Sequence, residues 1–156
     1  PARVASLTLL DPVLTFAPIP IRTMLAVAPM GLPSTPDWLR RRVLRWIAGG
    51  ADVSEHSPVA ALIDAGTTDF ALHQPAPTRF TDGQLRALDM PVLTLIAGRS
   101  VIHDGRLAAD TARKLLRHGE VELWPSASHA INGEFPDEIA GRAHRFWDGV
   151  DRLRSE

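Results

Sequence analysis

The sequence predicts an α/β fold built on a parallel sheet, and three observations carry that prediction. Short apolar runs recur at residues 4–10 (VASLTLL), 91–97 (PVLTLIA) and 121–124 (VELW) without the alternation of a half-exposed strand. Runs of this length suit strands buried on both faces, as parallel strands are. Helical patterns follow the second and third runs, giving the strand–helix order of a crossover-connected sheet. The chain, 156 residues and 45% apolar, is long enough for one ordinary core.

The first run is bounded by Arg3 and by Asp11-Pro12. Asp11 therefore belongs at the strand's carboxyl end, where open α/β sheets place their ligands. Because Pro1-Ala2-Arg3 leads straight into this strand, with no preceding helix and turn, the sequence is expected to open in mid-domain.

Residues 13–89 change character: they are proline-rich and favour helical spacing. After the start signal Ser34-Thr35-Pro36-Asp37, the side chains Leu39, Val43, Trp46 and Ile47 form one helical stripe. Arg40, Arg41, Arg42 and Arg45 lie mostly off it, and Gly49-Gly50 closes the helix. The arginines are expected to be a solvated face, the sharper alternative being a surface for an anionic or lipid-like substrate. A second helix is expected over residues 57–65, ending at Gly66, then an irregular stretch over 69–81 and a short helix capped by Thr81-Asp82. The expected division is thus a core of residues 1–15 and 89–156, with residues 16–88 inserted as a helical cap.

In the last third, Asp104 is the expected N-cap of a helix over residues 105–117 with Leu107, Thr111, Leu115 and His118 on one face. A strand and the polar turn Ser126-Ala127-Ser128-His129 follow. A final helix is expected from Glu134 to about residue 153, with Ile139, Ala143, Phe146, Trp147 and Val150 as its apolar side. Three parallel strands alone would leave two apolar edges open, so further strands are expected from outside this sequence.

Composition narrows the function classes. A net charge of −1 gives no field that favours nucleic acid. Cysteine is absent, which removes disulfides and thiolate metal sites. No metal-ligand cluster or phosphate loop is visible, so no cofactor is expected. No apolar run reaches the roughly 18–20 residues of a membrane span. A cytoplasmic protein without membrane contact is the expectation.

The order of motifs resembles the C-terminal half of an α/β-hydrolase. Leu10-Asp11-Pro12 and the insertion after it look like that family's sixth strand and cap, and residues 88–98 (LDMPVLTLIAG) like its seventh strand. Residues 121–125 (VELWP) look like its eighth strand, Ser126-Ala127-Ser128-His129-Ala130 like its histidine loop, and residues 134–139 (EFPDEI) like the opening of its last helix. The resemblance implies hydrolysis by a nucleophile, a histidine and an acid. It also implies a nucleophile in a G-x-S-x-G elbow upstream of the sixth strand. No serine of the sequence has those flanking glycines. The nucleophile-bearing half is therefore expected from the same precursor or a companion chain, and the 156 residues alone are expected to be inactive.

His129, in a polar turn between a strand and a helix, is the expected general base and acid. His103, near a strand end, is a lesser candidate. His56 and His73 fall in the expected cap and are expected to be solvent-exposed, the alternative for His73 being the lining of the substrate pocket, and His118 and His144 are expected on helix surfaces. The acid departs from the family's G-x-x-D after the seventh strand, because Gly98 is followed by Arg99, Ser100 and Val101. Two aspartates remain: Asp11, after the sixth strand, and Asp104, which also suits a helix cap. Asp11 is favoured. The apolar residues Val13, Leu14, Phe16, Ile19, Ile21, Met24 and Leu25 are expected to roof an acyl pocket or to form cap core. The leading expectation is a serine esterase acting on a small or medium hydrophobic ester. One rival keeps the fold but uses an aspartate nucleophile, as haloalkane dehalogenases and epoxide hydrolases do. Another is a non-catalytic binding protein, which requires that neither aspartate reach His129.

Overall fold

The computed structural model describes residues 3–32, 34–50, 65–66 and 77–155. Three parallel strands form one sheet in the order β1 (Leu7–Leu10), β2 (Val92–Ala97), β3 (Gly119–Trp124). Leu10 pairs with Leu95 and Ala97 with Trp124, so the carboxyl ends of all three strands lie close to one level. All six residues of β2 are buried, whereas β1 and β3 are only partly so and Leu10 is 36% exposed. Burial on both faces, expected for all three runs, holds for β2, which has a strand on each side.

Between β1 and β2 lie α1 (Ile21–Val27), a 3-10 turn (Ala28–Gly31), α2 (Asp37–Ile47) and α3 (Asp82–Arg86). Thr81 caps α3 in a reciprocal box with Gln84, which satisfies two backbone donors that a helix start otherwise leaves open. The helix expected over residues 57–65 lies outside the described residues apart from Ala65. After β2 come α4 (Gly105–Leu115), β3, the single turn α5 (Ile131–Glu134) and α6 (Pro136–Ser155). Among the described residues, no helix is long and apolar enough to cross a membrane.

Alternation along β2 splits the core in two. Val92 and Ile96 pack with Phe16, Leu85 and the alanines of α4, while Leu93, Leu95 and Ala97 pack with Ile131, Ile139, Phe146 and Val150. The buried face of α4 is Gly105, Ala108, Ala109, Ala112 and Leu115. The expected stripe fails at Leu107 and His118, which are exposed. At Leu107 the cause is close approach, since a Cβ on Gly105 would stand 2.6 Å from the Ala97 carbonyl oxygen and small side chains face the sheet, whereas His118 lies past the helix end at Leu115. The last helix starts later than expected, because Phe135 leaves helical geometry ahead of Pro136. Its expected apolar side is buried except for Trp147, whose indole N–H donates to Thr8 Oγ1 at the sheet edge.

Candidate active site

The chain leaves β1 through Asp11, whose φ of 40° lies in the left-handed region that aspartate tolerates better than branched residues do. Its backbone N–H still donates to the Leu95 carbonyl, at 2.8 Å, so the turn begins while the residue is tied to β2. The carboxylate is fully buried. Oδ1 accepts the Ala97 N–H at 2.9 Å and faces His103 Nε2 at 2.7 Å. Oδ2 faces His129 Nδ1 at 2.7 Å. Such a carboxylate keeps its charge out of water because hydrogen-bond donors surround it.

His129 rides on the loop between β3 and α5, and that loop is fixed at several points. The Arg99 N–H donates to the Ala127 carbonyl, the Ser128 N–H to Glu134 Oε2 at 2.7 Å, and the Ala130 N–H to Ser128 Oγ. Ala127 and Ser128 are buried, and the His129 side chain keeps 27% of its surface. A carboxylate on Nδ1 selects the tautomer whose Nε2 is a lone-pair acceptor, the state a general base needs. His103 is enclosed, with 1% of its side chain accessible. Burial, which disfavours the charged ring, is the largest influence on it and holds its pKa below the usual 6.5; Asp11 opposes that shift, His129 adds to it and Asp104 weakly opposes it.

The structure therefore brings together Asp11 and His129. Asp104 lies elsewhere: its Oδ1 accepts the Leu107 N–H at 3.0 Å and caps α4. His118 and His144 are exposed, as expected, and His56 and His73 lie outside the described residues. Sequence reasoning assigned no role to Glu134 as anchor of the histidine loop or to Arg99 as a clamp. The Arg99 guanidinium donates to the Gly49 and Ser126 carbonyls, and Gly49, at φ 66°, lies so near Ser128 that a Cβ there would stand 2.5 Å from the serine Cβ. An open pocket of about 560 Å³ adjoins this contact and is lined by Arg42, Arg45, Trp46, Gly49, Arg99 and Val101. Of the apolar residues expected to roof an acyl pocket, Phe16 is core, whereas Val13, Ile21, Met24 and Leu25 are exposed. Among the described residues, no group of three or more histidines and carboxylates is arranged to hold a metal ion.

No family model matches the chain. A curated relative, described as an uncharacterized carboxylesterase (nap) of Bacillus subtilis, is 32% identical over 79 residues, which cover 49% of this chain and 26% of that protein. The crystal structure of the naproxen esterase, carboxylesterase NP, of Bacillus subtilis superposes with a TM-score of 0.77 at 25% identity. That match covers 93% of this chain and 52% of the esterase. Carboxylesterase CesB of the same organism gives a TM-score of 0.77 at 19% identity, over 94% of this chain and 52% of its own. The chain spans about half the length of these esterases.

Proposed function

From the premise that this chain carries the C-terminal part of an α/β-hydrolase fold, shared with carboxylesterases, we propose that it supplies the histidine and acid of an ester hydrolase. The observation that carries the proposal is the 2.7 Å approach of Asp11 Oδ2 to His129 Nδ1. It speaks against the binding-only alternative, which has no use for an oriented imidazole with a buried carboxylate behind it. In this reading residues 16–88 form the cap and the nucleophile comes from outside the 156 residues.

The chemistry follows from the tautomer. With Nδ1–H held by Asp11, Nε2 takes the proton of the attacking hydroxyl as its oxygen bonds to the ester carbonyl carbon. The imidazolium that forms is balanced by the Asp11 carboxylate. It then gives the proton to the departing alkoxide as the carbon–oxygen ester bond breaks, leaving an acyl-enzyme. Water repeats the sequence in the second half: Nε2 takes its proton, the acyl carbon is attacked, and the nucleophile oxygen is reprotonated.

The substrate in this reading is a small or medium ester. The lining of the open pocket by Arg42, Arg45 and Arg99 favours a second version, an ester that carries an anionic group. The test is turnover of a neutral short-chain ester and of a carboxylate-bearing analogue by the full-length native protein, beside its His129→Ala variant. Hydrolysis abolished in the variant is the expected result. A lower KM for the anionic ester, lost in Arg99→Leu, supports the second version. Halide release or epoxide opening in place of ester cleavage contradicts the esterase reading.

A further inference from the structure

The geometry points to His103 as a positioning residue that holds Asp11 for His129, so that the site is a histidine–aspartate–histidine chain. This rests on the triad reading above. Oδ1 of Asp11 has two neighbours within hydrogen-bond distance, the Ala97 amide at 2.9 Å and His103 Nε2 at 2.7 Å. An ionised carboxylate only accepts, so the proton of that second bond sits on His103 Nε2. Two donors on Oδ1 fix the carboxylate plane and leave Oδ2 to take the Nδ1–H of His129.

Three further observations favour this role over simple packing. His103 Nδ1 is buried and has no hydrogen-bond partner among the described residues. An apolar side chain would fill the space without leaving an acceptor unmet, so packing alone does not explain an imidazole here. His103 also stands after β2, in the loop where the resemblance would place the acid. Here the carboxylate arrives from β1, and that loop contributes the group that orients it. Finally, the ring is held neutral by burial. The titratable groups facing it are Asp11 at the end of β1, His129 on the loop after β3 and Asp104 at the start of α4. A neutral donor steadies Asp11 without adding a positive charge that would repel the His129 imidazolium during the reaction.

The experiment compares His103→Leu and His103→Gln in the full-length native protein, with His129→Ala as reference and thermal unfolding as a check on folding. Kinetics are read as kcat, KM and the pH profile of kcat/KM on a neutral short-chain ester. Removing the donor in His103→Leu is expected to lower kcat by about ten- to a hundredfold with KM within about twofold. The acid limb of kcat/KM should move to higher pH, because a less satisfied carboxylate binds the His129 proton more strongly. Gln, whose amide nitrogen stands near the place of Nε2, should restore most of kcat and the position of the limb. Equal losses in folded Leu and Gln variants with an unmoved acid limb, or a fully active Leu variant, would overturn the proposal. If the Leu variant does not fold, the imidazole nitrogen shifts of the wild type near pH 8 decide: Nε2–H with bare Nδ1 supports the assignment, and the opposite tautomer sinks it. A wild-type hydrolysis rate retained by His129→Ala marks failure of the triad reading instead, and the tautomer measurement still reads His103 independently.

Discussion

At the carboxyl edge of the sheet, His103 and His129 lie 92 and 118 residues from Asp11 in sequence and 2.7 Å from it in space. The described residues of 21–47 are closer to Asp11 along the chain but supply no hydrogen bond to that cluster, and they leave Ile21, Leu25 and Trp38 largely exposed. From that stretch the Thr23 hydroxyl donates to the Val101 carbonyl, and just beyond it the Gly49 carbonyl accepts from Arg99. The difference lies in what does the positioning. Strand register sets the strand-end cluster, and one face of every strand is packed, so a small displacement there is opposed by the whole sheet. The helical stretch reaches the loop after β2 through Thr23, and its exposed side chains, Ile21, Leu25 and Trp38 among them, are free to differ at little cost to the core.

Substitutions should therefore separate the two regions, beginning with the largest effect. Asp11→Asn leaves the fold but removes the charge that orients and balances His129. It should cut kcat by about 10³- to 10⁴-fold in an ester assay of the full-length protein, with little change in KM. A loss below tenfold would break the contrast. Next comes Leu95→Ala in β2, which opens a cavity in a fully buried site and should cost about 3 kcal/mol in urea unfolding. Asp104→Ala removes the cap of α4, for about 1 kcal/mol, and should leave kcat within threefold or so, since its carboxylate faces Leu107 N–H and not His129.

A pH-dependent difference is smaller still. His103 resists protonation in the folded state, whereas the unfolded chain takes up that proton as pH falls below 6.5. The unfolded state then binds more protons, so stability is full above that pH and declines below it. His103→Gln lacks this loss, and its stability relative to wild type should improve between pH 7 and pH 5 in parallel melts. At the low end, Leu25→Ser on exposed α1 should change stability by no more than about 0.5 kcal/mol. A loss of several times that would mean the segment is packed against something after all.

How much of this was legible in the sequence depends on the kind of signal. The strands were, because short β-prone runs mark them even where burial is partial: residues 91–97 became the fully buried Val92–Ala97 and residues 121–124 became the end of the partly exposed Gly119–Trp124. The face of α4 was misread, since apolarity pointed to Leu107 while the packing distance to β2 required alanines. Asp11 and Asp104 each follow a predicted strand and precede a turn or helix, so composition alone left both open. Register separates them, by placing the end of β1 level with the loops after β2 and β3. His103 was placed near a strand end and given little weight. Nothing local records that its ring turns inward, and only the long-range pairing with Asp11 gives it a purpose. Glu134 was visible only as a helix start, because its contact with the Ser128 N–H is a property of the folded loop.

The most direct test of the account is the tautomer of His129, read from imidazole nitrogen shifts near pH 8 in wild type, Asp11→Asn and Asp104→Asn. The account predicts a proton on Nδ1 in the wild type, unchanged by Asp104→Asn and lost or redistributed in Asp11→Asn. A wild-type His129 protonated on Nε2, or a signal equally indifferent to both substitutions, would contradict it.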